Sequence, residues 1–305
     1  MEINEWNYLI AIAEEKSISK AAERLFMAQS SLSQYLKTLE QNLGIRLFVR
    51  TSTGVRPTEA GRLMIRFAYH TVSEYHNVRD QMQDIQELNR GRVLMGISTF
   101  RGCFLLPPVL NAFHMEYPNV HVEIIEENSM ALEQMLQNGD IDLALLVLPA
   151  KTLKAPVEKL MEDEICLITR SGHPVLERAR TKTAKNSSNI SRYVHLPDIM
   201  DFDFLLSDND TILGREARRL FREYDLTPTS HNEKLSAFFA ASMAASGLGL
   251  AFTYYSSHLY YPNAEYLSLG KDGLFLELGL AMPPGRYHSR AAIALKDVMF
   301  RILGK

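Results

Sequence analysis

Apolar and polar residues in the first part of the chain alternate with the period of an α-helix. In residues 3–15 the apolar side chains recur at spacings of three and four: Ile3, Trp6, Leu9, Ile10 and Ala13. A second short helix is predicted over residues 19–25 with Ser19 as its N-cap, and residues 26–28 connect it tightly to a third helix. Two short helices joined by a turn of this length are typical of a helix-turn-helix.

The third predicted helix (AQSSLSQYLKTLE, residues 28–40) has two chemically different faces. Leu32, Leu36 and Leu39 form its apolar face. The opposite face, called the reading face below, consists of short polar groups and one lysine: Gln29, Ser30, Ser33, Gln34 and Lys37. Serine is a poorer helix former than alanine or glutamate, but short side chains let a helix approach base edges in a major groove, where amides and hydroxyls form hydrogen bonds. We therefore predict that this face reads DNA.

Residues 44–61 (GIRLFVRTSTGVRPTEAG) predict a β-hairpin wing, because two short β-prone pieces flank a glycine turn. Its Arg50, Thr51 and Arg56, with Lys37, are predicted to contact DNA phosphates. Residues 16–57 contain seven Lys or Arg and two Glu, a balance of +5, within a 305-residue chain of net charge −3. A solvated basic face on a small helical domain is the alternative, because charge alone does not show clustering on one side.

The N-terminal motifs resemble those of the LysR-type transcriptional regulators. The matching patterns run in order through residues 17–61: S-x-x-A-A-x-x-L, Q-S-x-L-S-Q followed by K-x-L-E, L-G-x-x-L-F-x-R, and T-x-A-G. One departure is Ala28, at a position where the family usually has a Ser or Thr N-cap. The resemblance implies a winged helix-turn-helix and homotetramers assembled as pairs of dimers.

A long helix is predicted next, over residues 59–90. Its apolar residues form a narrow seam at spacings of three and four: Ile65, Ala68, Val72, Tyr75, Val78, Met82, Ile85 and Leu88. Such a seam is best buried against a second copy of the helix, and a dimer would present two reading helices to a two-fold operator. The alternative is that the helix packs on its own domain. Residues 89–92 are predicted to form a hinge.

Beyond residue 91 strands and helices alternate, which predicts an α/β fold. LLPPVLNAFHMEYPNVHVEI and LEQMLQNGDIDLALL resemble the family's effector domain, which implies a periplasmic-binding-protein-like pair of subdomains. We predict a DNA-binding domain at 1–58, a linker helix at 59–90 and an effector domain at 91–305. Its subdomain I comprises residues 91–162 and 267–305, and its subdomain II residues 163–266. Residues 105–117 should form a helix that ends at Pro118, and residues 182–191 a loose surface loop.

The resemblance places an effector in the cleft between the subdomains, near strand C-termini and helix N-termini. The residues predicted there are Ser98, Thr99, Phe100, Arg101, Asn128, Ser129, Ser207 and Asp208. Arg101 could pair with a carboxylate, whereas Asp208 favours an effector with an amine or hydroxyl. The alternative for each Ser, Thr or Asn is that it caps a helix.

Composition excludes several other classes. Cys103 and Cys166 lack metal-ligand spacing and are predicted to be buried, and the histidines form no zinc motif. The first ten residues do not read as a signal peptide and no apolar run is long enough to span a bilayer, so we expect a cytosolic protein without membrane contact. No nucleophile elbow, phosphate loop or dinucleotide fingerprint is present, so we expect neither a cofactor nor an enzyme.

The sequence thus predicts a ligand-responsive transcriptional regulator. Its expected partners are a double-stranded DNA operator, a small-molecule effector with an organic acid as one candidate, and further copies of itself in a homodimer or homotetramer. The alternative is a cytosolic small-molecule-binding protein or enzyme on the same α/β frame, with an unrelated helical N-terminal domain.

Overall fold

The computed structural model describes residues 3–51, 54–86, 91–182 and 189–304. Its N-terminal part consists of α1 (Ile3–Glu15), α2 (Ile18–Arg24), α3 (Gln29–Leu43), β1 (Phe48–Thr51), β2 (Gly54–Pro57) and α4 (Glu59–Gln86). The apolar faces of the first three helices meet in one core with the base of the β1–β2 hairpin. This arrangement is the predicted winged helix-turn-helix.

The start of α2 differs from the prediction. Ser17, in an extended conformation, is the N-cap and its hydroxyl accepts a hydrogen bond from the Lys20 amide. Ser19 already lies inside the first turn of the helix, where it is exposed. The prediction placed the cap too far along the chain, because both serines precede the apolar pattern and either fits an N-cap by type.

Glu40, Thr58 and Gly61, which belong to two of the N-terminal motifs, have structural roles in this chain. A carboxylate oxygen of Glu40, from K-x-L-E, accepts hydrogen bonds from the amides of Leu47 (2.7 Å) and Phe48 (3.0 Å). In T-x-A-G, the Thr58 hydroxyl donates to the Arg46 carbonyl and accepts from the Gly61 amide. A Cβ on Gly61 would lie 1.9 Å from the Leu47 carbonyl oxygen, so only glycine fits this close approach. These residues fix the wing against the helices.

Helix α4 buries the beginning of its predicted seam within its own domain. Ile65 and Ala68 are 9% and 0% exposed, and Ile65 packs in the core of the N-terminal part, as the alternative interpretation had it. The apolar side chains that α4 exposes are called the exposed stripe below. Three of them belong to the predicted seam, Tyr75, Val78 and Met82, and two lie beside it, Leu63 and Phe67. The side chain of Ile85, and Leu88 and hinge residues 89–90, lie outside the described residues.

The C-terminal part is an α/β structure with one long mixed sheet. Its first half contains β3 (Gly91–Ile97), α5 (Thr99–Glu116), β4 (Val120–Glu126), α6 (Ser129–Asn138), β5 (Leu143–Val147) and β6 (Val157–Arg170). The second contains β7 (Arg180–Thr181), β8 (Arg192–Val194), β9 (Asp203–Ser207), α7 (Ile212–Glu223), β10 (Thr229–Leu235), α8 (Ala237–Ala245), β11 (Leu250–Tyr254) and β12 (Ala264–Leu269). Strand β13 (Leu274–Ala281) and α9 (Arg290–Leu303) complete the chain.

Strands β6 and β13 join the two halves of this sheet. The described strands follow the order β10-β9-β11-β6-β13-β5-β3-β4, with β12 paired to β6 and β8. One apolar core lies around β3, β5, α5 and α9, and another around β9, β11, α7 and α8. Residue 267 lies in β12, and its side chain packs in the second core. We therefore propose that the return to subdomain I begins at β13 rather than at residue 267.

Helix α5 begins six residues before the predicted start at 105. Pro107 and Pro108 lie inside it rather than marking its first turn, and both are exposed, so the hydrogen bonds that they cannot donate are lost on the solvent side. The same helix exposes Cys103, contrary to the prediction, whereas Cys166 is buried. Of the predicted surface loop, residues 183–188 lie outside the described part of the chain. Within the described ranges no helix is long and apolar enough to cross a bilayer.

Candidate functional site

The reading face of α3 is turned to solvent. Gln29, Ser30, Gln34 and Lys37 are exposed and Ser33 is half-buried, while Leu32, Leu36 and Leu39 on the other side are buried. Tyr35 points away from the reading face, because its ring packs edge-on against Tyr8. The structure therefore brings the five predicted residues together on one accessible surface, on which Lys37 is the one charged side chain of the five.

The turn between α2 and α3 has a feature that sequence reasoning missed. Phe26 adopts a left-handed conformation (φ 53°) and is 98% exposed. Its amide donates to the Glu23 carbonyl and the Met27 amide donates to the Ala22 carbonyl, the bonds of a Schellman motif in which glycine is usual. Ala28 then supplies no side-chain cap, and α3 nevertheless begins immediately at Gln29.

The β1–β2 hairpin places Arg50 and Arg56 on opposite faces. In the β1–β2 register Arg50 pairs with Val55 and Arg56 pairs with Val49, and cross-strand partners point to the same side of a sheet. Arg50, Thr51 and Arg56 are all exposed, so each remains accessible to a polyanion. Arg24 contributes less to such a surface, because its guanidinium is ion-paired with Glu14.

Sheet register brings four of the predicted cleft residues together. Parallel strands β3 and β4 pair Ile97 with Glu126 at their carboxyl ends, and the Glu127 amide donates to the Ile97 carbonyl at 3.2 Å. The residues that follow these strands are therefore neighbours: Ser98 and Thr99 at the N-terminus of α5, and Asn128 and Ser129 at the N-terminus of α6. Two helix N-termini thus lie side by side at one edge of the sheet, a position that favours anions.

The caps of these two helices differ. The Asn128 side chain accepts a hydrogen bond from the Ala131 amide at 3.1 Å, the capping role that was the alternative interpretation. Ser98 occupies the N-cap position of α5 but makes no side-chain capping bond. Its half-buried hydroxyl is therefore better placed to serve a ligand than the Asn128 amide.

Arg101 is the most unusual residue of the cleft. It is only 3% exposed, its guanidinium lies 4.0 Å above the centre of the Tyr254 ring, and its Nε and Nη2 atoms have no hydrogen-bond partner among the described residues. Leaving buried N–H donors of a cation unpaired is costly. A hydrogen-bond acceptor, best an anionic one, would satisfy these two donors.

A buried carboxylate lies near Arg101. Asp163 on β6 accepts hydrogen bonds from the Ser256 amide (3.0 Å) and hydroxyl (2.8 Å). Burial raises the pKa of Asp163, and the positive charge of Arg101 opposes that rise. Asp163 is a residue that sequence reasoning did not select, because nothing in the pattern of a buried strand separates it from Glu162 or Glu164.

The remaining predicted cleft residues, Phe100, Ser207 and Asp208, are buried or half-buried. Phe100 is 8% exposed and packs edge-on against Phe104 and Tyr254, which inserts the start of α5 into the second core. Ser207 is buried at the end of β9. Asp208, half-buried, shapes the loop before α7: its amide donates to the Leu235 carbonyl at 2.9 Å and its carboxylate accepts from the Asp210 amide at 3.3 Å.

Two family models together match most of the chain. The model described as "Bacterial regulatory helix-turn-helix protein, lysR family" matches residues 3–62. The model described as "LysR substrate binding domain" matches residues 86–301. The helix-turn-helix regulator YcgK of Bacillus subtilis (strain 168) is 30% identical over 260 residues, which cover 82% of this chain and 79% of that protein.

Solved structures show the same fold over the whole length. Full-length CbnR in complex with its target DNA has a TM-score of 0.66 and 17% identity, covering 99% of each chain. A full-length OxyR variant from Pseudomonas aeruginosa has a TM-score of 0.67 and 23% identity, covering 98% of this chain and 94% of that one. The described chain thus has the fold of these full-length proteins.

Proposed function

Because the chain belongs to the LysR family of bacterial transcriptional regulators, we propose that its reading face recognises operator bases and that a small acid bound at Arg101 controls this recognition. The exposed surface of short polar side chains on α3 carries the DNA assignment. CbnR, which shares the fold, has been solved on its target DNA. Action on bacterial DNA would place the protein in the cytoplasm. We assign it no catalytic activity, since its relatives are named as transcriptional regulators.

The chemistry of the side chains divides the predicted DNA contacts of the reading face and the wing into base contacts and phosphate contacts. Ser33 and Gln34 lie near the middle of the face and can hydrogen-bond to base edges, Gln34 in bidentate fashion to adenine. Lys37, Arg50, Thr51 and Arg56 can neutralise or hydrogen-bond to phosphates, which holds the helix in register without reading sequence. Because Arg50 and Arg56 lie on opposite faces, the wing can contact the DNA backbone from either face.

Replacing Ser33 or Gln34 with Ala should reduce discrimination between operator and random DNA by about tenfold, because one base contact is worth roughly 1–3 kcal/mol. Fluorescence anisotropy with a fragment from the gene's own upstream region and with a scrambled duplex, at one salt concentration, measures this ratio. Asn42→Ala is the matched control, since Asn42 is exposed on α3 outside the reading face. An unchanged ratio in both reading-face variants would show that α3 is not the reading helix.

Replacing Arg50 with Gln should weaken operator and random DNA alike. Loss of one phosphate contact should also reduce the slope of log affinity against log salt by about 0.9. A titration over a KCl series measures both effects. Arg92→Gln is the control, because Arg92 pairs with Glu123 on the surface of the effector domain. A slope equal to that of the wild type would remove Arg50 from the DNA contacts.

We further propose that the exposed stripe of α4 is buried in a homodimer. Leu63, Phe67 and Met82 are each more than half exposed on a helix that buries Ile65 and Ala68, and large apolar side chains in a row at helical spacing are costly in water. Two reading helices on one dimer would match a two-fold operator. Association of dimers into tetramers is in keeping with the family.

The effector assignment rests on Nε and Nη2 of Arg101, two buried donors with no hydrogen-bond partner among the described residues. Ser98, Thr99 and Ser129 supply hydroxyls and helix N-terminal amides beside Arg101, so a carboxylate could be held by charge-assisted hydrogen bonds from several directions. Ser207 and Asp208 stay predicted contacts of a second polar group of the effector. Binding changes DNA recognition only if the effector has different affinities for two arrangements of the protein.

A further inference from the structure

The effector domain touches the linker helix at one polar junction, defined here as Ser73, Asn138, Gly139 and Arg286. Ser73 lies on α4 and is only 8% exposed. Its hydroxyl donates to the carbonyl of Gly139, the residue that ends α6, at 2.6 Å. A direct hydrogen bond thus joins the helix that leaves the DNA reader to the effector domain of the same chain.

Arg286 closes the junction from a third segment, the loop between β13 and α9. Its Nη1 donates to the Ser73 hydroxyl and its Nη2 to the Asn138 carbonyl. Gly139 has a left-handed conformation (φ 75°), and a Cβ there would lie 2.3 Å from the guanidinium carbon. Position 139 therefore requires glycine, both for its positive φ and because a Cβ would collide with Arg286. The hydrogen bonds of the junction hold the three segments in one geometry.

Helix α6 connects this junction to the effector cleft. It is 10 residues long, about 15 Å at the usual rise per residue. Asn128 and Ser129 at its N-terminus are predicted cleft residues, whereas the carbonyls of Asn138 and Gly139 at its C-terminus accept hydrogen bonds from Arg286 and Ser73, respectively. In its middle, the buried carboxylate of Glu133 accepts hydrogen bonds from the amides of residues 151–153. The helix is therefore braced along its length and would move as a rigid unit.

The linker helix carries the connection onward to the DNA reader. Tyr69 lies one turn before Ser73, and its hydroxyl donates to Glu14 of α1 at 2.6 Å. Glu14 is in turn ion-paired with Arg24 of α2, the helix that precedes the reading helix. Described contacts thus run without interruption from the cleft through α6 and α4 to the helix-turn-helix.

We propose that Ser73 and Arg286 are positioning residues that transmit a displacement at the N-terminus of α6 to the linker helix, and so set how the reading helices meet DNA. This inference rests on the proposed function, since it needs the reading face to bind DNA. The physical reason is that three hydrogen bonds hold the C-terminus of α6 to α4 and to the loop of Arg286, so that a tilt of rigid α6 turns α4 with it. Without these bonds, the same tilt leaves α4 where it is.

A double-mutant cycle tests the transmission without knowledge of the effector. Asn128→Ala removes the cap at the cleft end of α6, while Ser73→Ala and Arg286→Gln each open the junction at the other end. Affinity for a fragment of the gene's own upstream region is measured for each single variant and for both pairs. We expect N128A to change affinity about fivefold in the wild-type background and less than twofold in the S73A or R286Q background.

Arg301→Gln is the matched control, because Arg301 forms an exposed ion pair with Glu116 far along the chain from the junction. In that background N128A should act as in the wild type. The inference would be overturned if N128A changed DNA affinity by the same factor in every background, or left it unchanged in the wild-type background. Two junction variants are used so that misfolding of one leaves the test intact. Failure of the wild-type protein to bind any upstream fragment would instead contradict the proposed function.

Discussion

Replacing Arg101 with Met is expected to abolish the stabilisation of the protein by small carboxylates and to leave DNA affinity unchanged. Methionine fills a similar volume with an apolar side chain, so the change removes the charge and the unpaired donors from beneath Tyr254. Losing one partner of a buried, hydrogen-bonded charge pair costs roughly 2–5 kcal/mol, which is about 30-fold or more in affinity. The effector response should therefore disappear at concentrations that saturate the wild type.

A thermal-shift screen measures this directly. Small mono- and dicarboxylic acids are tested against the wild type, and each acid that raises its melting temperature is then tested against R101M. A ligand at about 100 times its dissociation constant adds about 2.7 kcal/mol to stability, a shift that the method resolves easily. Arg180→Met is the control for loss of a surface charge, since Arg180 pairs with Asp198 at an exposed site. An equal shift in R101M and the wild type would remove Arg101 from the effector contacts.

The DNA-reading part of the protein could be predicted because its signals are local. Leu32, Leu36 and Leu39 fall on one side of a helix by periodicity alone, and the polar residues between them must then face solvent. The structure confirms the fold that this pattern and the LysR motifs indicated. The error in the helix-turn-helix was small and also local: the cap is Ser17 instead of Ser19. Periodicity also could not tell that the predicted seam of α4 divides, with Ile65 and Ala68 buried and Tyr75, Val78 and Met82 exposed.

The cleft and the junction depend on contacts between residues that are far apart in the sequence, and the spacing of residues along the chain does not predict such contacts. Arg101 was selected by its position in the chain alone. Its burial follows from the insertion of α5 into the second core, whereas α5 was predicted to start only at residue 105, close to Pro107 and Pro108. Asp163 and Arg286 were missed altogether. Their roles arise only when β6 crosses between the halves and when the loop after β13 meets α4.

Replacing Glu133 with Ala should destabilise the effector domain by about 3 kcal/mol. This carboxylate is 2% exposed, and its Oε2 accepts hydrogen bonds from the Thr152 hydroxyl (2.8 Å) and from the amides of Lys151 (2.9 Å) and Leu153 (3.2 Å). Hydrogen bonds to a charged group are worth roughly 1.5–3 kcal/mol, and truncation leaves several donors unpaired at once. Urea unfolding followed by circular dichroism at neutral pH measures the loss.

The same carboxylate should make stability depend on pH, which Glu133→Gln isolates. Burial favours the neutral acid, but the hydrogen bonds from Thr152, Lys151 and Leu153 outweigh it, so the pKa of Glu133 is lowered in the folded protein. Its stabilisation is therefore complete above the unfolded-state pKa of about 4.3 and is lost as pH falls through the lower folded value. The gap in unfolding free energy between wild type and E133Q should shrink as pH drops below about 4.3.

Glu127→Gln provides the baseline for that pH series, because Glu127 is exposed near the start of α6 and should change stability by less than about 0.5 kcal/mol. A gap for E133Q that stays constant down to about pH 3 would mean that the hydrogen-bonded carboxylate is not what couples stability to protons. If the gap closes as expected, the contact that keeps α6 rigid is electrostatic. It forms because ionised Glu133 accepts hydrogen bonds from donors of the loop that follows β5.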